Sequence, residues 1–337
     1  MSQIPVLDIS QLEQGPEARA RFLDDLRSAT HNIGFFVLTG HGIPDALQAD
    51  LLRVSREFFA LPEEEKLAIE NSHSPHFFGY TRVGGERTQG RVDWREQIDL
   101  GPDRPARELQ SGDPEYLRLD GPNQWPASLP EFRTVLTDWR ETVNAIAVRL
   151  LHAWLESLQL DPAALDPTFG DKPQTFIKVI RYPGKDEGDR QGVGGHKDSG
   201  MITLLWIEPG KGGLQVEVDG EWADIPYAPG GLVVNIGELL ERATGGYLRA
   251  TIHRVISPAA GDDRISVPLF YNPQLDQTVP TLELPPELAA HARGIEAYGE
   301  DNPILESYGE NAFLARLRSH PNVAEKHYPH LVATPVA

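Results

Sequence analysis

The chain has no cysteine among its 337 residues. Disulfides, thiolate metal sites and cysteine nucleophiles are therefore excluded, so any bound metal must draw on imidazole, carboxylate or backbone oxygen. No apolar run approaches the roughly 18 residues of a membrane span, and the start, MSQIPVLDIS, lacks the basic and apolar blocks of a secretory signal. A soluble, cytoplasmic protein with no membrane partner is the expectation. Basic charge is scarce as well: 31 lysines and arginines face 50 acidic residues, a formal net charge of −19. Such a surface repels a phosphate backbone, which argues against nucleic acid as a partner. The acidity needs no account beyond solubility. Neither an internal repeat nor a low-complexity tract is evident.

What is present is a 40% hydrophobic chain with two kinds of periodicity. Residues 1–126 read as a mixed helix and strand region. Ile4-Pro5-Val6-Leu7-Asp8 and Gly34-Phe35-Phe36-Val37-Leu38 are strand-like. Phe22, Leu23, Leu26 and Ala29, and then Leu47, Leu51, Val54 and Phe58, recur at helical spacing. The stretch 101–126, rich in Pro, Gly and Asp, predicts a surface excursion. Residues 127–172 hold a long packing helix and its connection, marked by Phe132, Val135, Trp139, Val143, Ile146, Leu150 and Trp154. From 173 to 275 short β-rich runs alternate with Gly, Pro and Asp clusters, the pattern of an antiparallel barrel or jelly roll. Residues 276–337 read as a C-terminal helical segment over the barrel mouth, the whole forming one structural domain, mainly β with flanking helices.

The chemistry concentrates in the β-rich part. His196-Lys197-Asp198 sets an imidazole and a carboxylate two residues apart, on one face if the segment is extended. His253 follows 55 residues after Asp198 in another strand-like run. Two histidines and one carboxylate with open positions opposite is the ligand set of non-haem Fe(II) oxygenases. An isolated H-x-D is common by chance; its company gives it weight. Glycines 192, 194 and 195 lead into it, and Arg264-Ile265-Ser266 begins eleven residues after His253. Arg and Ser two apart on a strand share a face and suit a carboxylate held in one orientation.

These segments, with Gly34-Phe35-Phe36, His41-Gly42, Arg181-Tyr182-Pro183, Gly213-Leu214-Gln215-Val216 and Asn235-Ile236-Gly237, follow the order seen in isopenicillin N synthase-like 2-oxoglutarate/Fe(II) dioxygenases. The chain resembles that family over nearly its whole length. The resemblance implies a double-stranded β-helix (jelly roll) core and Fe(II) on His196, Asp198 and His253. It further implies 2-oxoglutarate on Arg264, Ser266 and Tyr182, O2 as oxidant, and a substrate that is hydroxylated, desaturated or ring-closed. Val193 and Phe270 fall where family members line the substrate pocket, with ordinary core packing as the equal alternative. Lys178 and Asn272 are weaker candidates for substrate contact, with a solvated lysine and a turn cap as their ordinary alternatives.

One branch of the family leaves an alternative. Isopenicillin N synthase oxidises a peptide without 2-oxoglutarate and uses Arg-x-Ser for a substrate carboxylate. At the position aligned with that enzyme's arginine for the distal carboxylate of its peptide, this chain has Phe77. A zinc hydrolase and a non-catalytic binding protein on the same fold are the rivals from other classes. Hydrolysis does not require Arg264 and Ser266, and all three ligand types are intact. His41, before Gly42, suits a local backbone group better than a metal. Substrate identity and oligomeric state are left open by the sequence.

Overall fold

In the helix Pro130–Ser157 the apolar residues recur at three- and four-residue steps, so one continuous stripe faces inward, with Trp139 and Trp154 fully buried. That stripe meets the helices Pro16–Asn32 and Asp45–Ala60, and the three together cover the outer face of a large sheet. The computed structural model describes residues 4–185, 190–295 and 304–332. Among the described residues no helix is long and apolar enough to cross a membrane.

The strands are β1 (Val6–Asp8), β2 (Phe35–Thr39), β3 (Gly79–Thr81), β4 (Arg87–Thr88), β5 (Arg91–Val92), β6 (Glu96–Leu100) and β7 (Gln174–Pro183). They continue with β8 (Gln191–His196), β9 (Ile202–Ile207), β10 (Leu214–Val218), β11 (Glu221–Asp224), β12 (Leu232–Ile236), β13 (His253–Ile256) and β14 (Asp263–Asn272). Eight form the large sheet in the order β1-β2-β12-β9-β14-β7-β6-β3, and four form a second sheet, β11-β10-β13-β8. The fold is mainly β with flanking helices, a double-stranded β-helix. The large sheet draws β1, β2, β3 and β6 from the first hundred residues.

Two apolar clusters divide the interior. The larger lies between the helices and the large sheet. The smaller, including Phe35, Ile180, Tyr182, Val193, Leu214, Val233 and Val255, lies between the two sheets. It is small because an open cavity occupies the rest of the inter-sheet space.

Local expectations compare unevenly with these elements. The short β-rich runs expected from 173 to 275 are present as β7 to β14, which lie between Gln174 and Asn272. The stretch 101–126 is largely irregular, but its 3-10 turn Glu115–Leu119 buries Leu117 and Leu119, so it contributes to the core as well as to the surface. His41 satisfies backbone groups: Nε2 donates to the Gly230 carbonyl at 2.8 Å, and Nδ1 accepts from the Ile43 amide at 3.2 Å.

Candidate active site

β8 ends on His196 and β13 begins with His253, and the two residues pair directly across the strands. Their rings lie 4.3 Å apart. His253, 57 residues on in the sequence, is thus an adjacent-strand neighbour of His196. Asp198 departs from the sequence reading: β8 stops at His196, and Asp198 lies in the irregular turn that follows. What aims its side chain is tertiary hydrogen bonding instead of strand alternation. Thr203 Oγ1 on β9 and Asn235 Nδ2 on β12 both donate to Asp198 Oδ2, at 2.6 and 2.7 Å. The second carboxylate oxygen, Oδ1, is left facing His196 Nε2 at 3.6 Å and His253 Nε2 at 3.7 Å.

Both imidazoles are fixed the same way. His196 Nδ1 donates to the Gly194 carbonyl at 2.9 Å and His253 Nδ1 to the Thr251 carbonyl at 3.0 Å. With those protons committed to backbone oxygen, both Nε2 lone pairs point at the gap beside Asp198. Phe35 of β2 stands edge-on against the His253 ring at 5.1 Å. Burial pushes the His253 imidazolium down to about 4, and the charge of His196 adds to the effect. For His196 burial also opposes protonation, but the hydrogen bond and charge of Asp198 outweigh it and raise the group. Burial disfavours the charged Asp198, yet the two imidazoles and the Thr203 hydroxyl hold it below the usual carboxylate range. The three ligand atoms lie within 4.8 Å of one another. Two borderline nitrogens and one hard anionic oxygen, gathered on one side, fit a ferrous ion that keeps open positions.

Arg264 and Ser266 face the same cavity from β14. Arg264 is 1% exposed. Its Nη1 donates to Ser266 Oγ at 3.1 Å, while Nε and Nη2 have no hydrogen-bonding partner among the described residues. Tyr182, its partner across the β14–β7 ladder, lies beneath the guanidinium with the ring centroid at 4.9 Å. Burial pulls Arg264 below its ordinary range, and the Tyr182 hydroxyl opposes that shift. A sealed cation with two unused donors is a site made for an anion, because a buried charge without a partner costs several kcal/mol, roughly 3 to 5 by removal of one partner. A dicarboxylate with one end here and the other toward the histidines fits these donors.

The cavity enclosing these groups has a volume of about 670 Å³, and all ten residues singled out in the sequence line it. Val193 is buried and Phe270 half-buried, its ring 5.9 Å from that of Phe176. Lys178 is not solvated: its ammonium donates to Glu86 at 3.0 Å and Asp99 at 3.5 Å. Asn272 accepts from the Met201 amide at 2.9 Å, tying the start of β9 to β14. Sequence reading missed Thr203, and it quoted Asn235 without a role. It also missed the wall of Glu86, Arg95 and His320, and the side chains that the helix Tyr308–Ser319 contributes. The Asn235-Ile236-Gly237 motif carried a signal for Asn235, and the expectation of a C-terminal helical segment over the barrel mouth carried one for the helix, though not for its individual side chains.

Comparison with known proteins agrees with this geometry. Residues 174–273 match the 2OG-Fe(II) oxygenase superfamily, and residues 4–128 the N-terminal region of non-haem dioxygenases in morphine synthesis. A 2-oxoglutarate-dependent dioxygenase of Dothideomycetidae sp. (strain 11243) is 37% identical, covering 98% of this chain and 94% of the relative. A homoarginine-6-hydroxylase of Arabidopsis thaliana is 31% identical, covering 83% and 88%. Among solved structures, a 2OG-Fe(II) oxygenase family protein of Caulobacter crescentus superimposes with a TM-score of 0.74 at 28% identity, covering 94% of this chain and 99% of that one. A full-length Neurospora crassa protein in complex with alpha-KG, at 24% identity, shares the fold with a TM-score of 0.73, covering 94% and 95%. The chain belongs to the 2-oxoglutarate/Fe(II)-dependent dioxygenase family.

Proposed function

We propose that His196, Asp198 and His253 hold Fe(II), that Arg264 and Ser266, aided by Tyr182, hold the distal carboxylate of 2-oxoglutarate, and that a small molecule in the remaining cavity is oxidised at a C–H bond. Hydroxylation, desaturation and ring closure are all within this reaction class. The observation that carries the reading is the sealed Arg264 guanidinium, which has no carboxylate partner among the described residues and shares a cavity with two histidines and an aspartate.

Iron and 2-oxoglutarate, when bound, supply oxidising power from O2, with 2-oxoglutarate ending as succinate and CO2. The chain's own part is positional. The Gly194 and Thr251 carbonyls fix the histidine tautomers, and Thr203 with Asn235 turns one carboxylate oxygen of Asp198 inward. Arg264 offers a charged fork in a dry site, where charge-assisted hydrogen bonds are strong. Val193, Phe270 and Phe176 provide apolar wall that excludes water and orients the C–H bond. Lys178, held by Glu86 and Asp99, and Asn272, tied to Met201, shape the wall instead of reaching out.

Relatives described as 2-oxoglutarate-dependent dioxygenases and homoarginine-6-hydroxylases support a small-molecule substrate. The peptide oxidase alternative is weakened by Phe77, which is wholly buried and stacked at 5.5 Å on Tyr328, outside the cavity lining. The test is an anaerobic titration of the Fe(II) protein with 2-oxoglutarate, followed by its metal-to-ligand charge-transfer absorption. A saturable band is the expected result; no band, with oxygen consumed on a peptide, would establish the oxidase instead.

A further inference from the structure

The cavity differs in charge from the molecule around it. The chain carries −19 overall, yet seven lysine and arginine side chains and only three carboxylates line this one space. Most of these cations are committed. Arg95 pairs with Glu86 at 2.7 Å and Asp93 at 3.3 Å, Lys178 with Glu86 and Asp99, and Lys197 with Glu241 at 3.3 Å. Arg87 and Arg318 are solvent-exposed, and Arg264 serves the co-substrate in the reading above. Arg316 remains.

Arg316 projects from the helix Tyr308–Ser319 and is half-buried in the cavity wall. Its guanidinium carbon lies 4.4 Å from the centroid of the Phe176 ring. Its hydrogen bond to the Ala312 carbonyl is long, at 3.4 Å, and the uncharged hydroxyls of Tyr308 and Tyr328 are among its polar neighbours. Among the described residues no carboxylate is ion-paired with it. Stacking on the ring orients the planar fork and leaves its edge donors available for an oxyanion.

The position of Arg316 separates it from the co-substrate anchor. Phe176 and Phe270 are cross-strand partners on β7 and β14, whereas Arg264 pairs with Tyr182 at the far end of the same ladder. Six residues of strand separate Arg264 from Phe270, about 20 Å at the usual rise, too far for one five-carbon dicarboxylate to engage both guanidiniums. The helix bearing Arg316 is also firmly seated. Ser307 caps it, accepting from the Glu310 amide at 3.3 Å, and the Asn311 amide group clamps both backbone groups of Leu305 at 2.9 and 2.8 Å. An anchor already in place loses little freedom when its ligand arrives.

Building on the proposed function, we propose that Arg316 binds a carboxylate of the substrate being oxidised, a small organic acid whose apolar or aromatic body lies along Phe176 and Phe270. The remaining carboxylate on the wall, Glu238, lies toward the metal side, its backbone amide donating to the Asp198 carbonyl at 2.7 Å. The charged neighbours of its carboxylate are Lys197, Glu241, Asp198, His196 and Arg318, and among the described residues it forms no ion pair with Arg316.

The experiment is calorimetric titration of the anaerobic Fe(II) protein, loaded with 2-oxoglutarate, with phenylacetate, hexanoate and cyclohexanecarboxylate, each against its primary amide. We expect at least one acid to bind roughly tenfold or more tightly than its amide, as a charge-assisted hydrogen bond implies. Arg316→Gln should abolish that preference and Arg316→Lys keep part of it, while the amide binds all three proteins alike, which excludes misfolding. Equal binding of acid and amide, no acid binding at millimolar concentration, or an intact preference in Arg316→Gln would each overturn the inference. Absence of the 2-oxoglutarate band in the wild type overturns the proposed function and this inference with it, whereas a band without acid preference overturns this inference alone.

Discussion

A guanidinium sealed from solvent without a carboxylate costs free energy, and where it also lines a cavity a bound anion can recover that cost. Arg264 is in that position, with two donors unused. Replacing it by alanine should weaken 2-oxoglutarate binding by roughly 2 to 5 kcal/mol, the cost of removing one partner of a buried charge pair. Anaerobic titration reads this directly, and unchanged affinity would remove Arg264 from the site. The groups behind the proposed metal ligands are open to the same kind of test. Asn235 Nδ2 donates to Asp198 Oδ2 at 2.7 Å, so Asn235→Ala should let the carboxylate swing and lower Fe(II) affinity roughly 10- to 100-fold. Competition with a metal-sensitive dye would measure it; full affinity would mean that Thr203 alone orients the carboxylate.

Among the elements, visibility in the sequence follows how each strand meets its surroundings. β7, β10, β12 and β14 were legible because apolar runs stand between Gly, Pro and Asp punctuation. β8 was not: Gln191-Gly192-Val193-Gly194-Gly195-His196 reads as a loop, although a Cβ at Gly192 would come within 2.8 Å of the Tyr182 ring. The glycines that disguise the strand are what let it lie so close to Tyr182. β6 was hidden by polarity. Buried Glu96 is satisfied by Arg181, Lys66 and Tyr80, and buried Asp99 by Lys178, partners that are remote in the chain. The clustering of His196, Asp198 and His253 could be anticipated from their order, but the Thr203 and Asn235 clamp and the Arg316 shelf depend on tertiary placement that no local pattern encodes. Gly34, at the entry to β2, offers a test of how strands hold the site. Its φ is +77°, and a Cβ there would lie 2.1 Å from the Arg249 carbonyl oxygen and 2.6 Å from Thr251 Oγ1, beside the carbonyl that orients His253. Gly34→Ala should destabilise the fold by about 2 to 4 kcal/mol, through left-handed strain and the clash together. An unchanged urea midpoint would show that the segment before β13 gives way at little cost.

For the molecule as a whole, the cavity makes stability and function respond to pH through opposed groups. Burial pushes Glu238 up to about 7 from an ordinary value of 4.5. Below pH 4.5 the group is protonated whether the chain is folded or not, and it contributes no pH-dependent term. Between 4.5 and 7 the unfolded chain ionises it and the folded chain does not, so stability falls as pH rises, by roughly 3 kcal/mol once the pH exceeds 7. His253 has the contrary slope. Burial takes it down to about 4 from 6.5, so its effect is to lower stability as pH falls through that interval. In the metal-free wild type the two slopes offset each other over their shared range. Glu238→Gln removes one of them while keeping the shape of the side chain. The variant should therefore match the wild type near pH 4 and exceed it by roughly 3 kcal/mol near pH 8. Urea midpoints of the two metal-free proteins across that span decide the matter: curves that run parallel, with a constant difference, would mean that Glu238 ionises as readily in the folded cavity as in water.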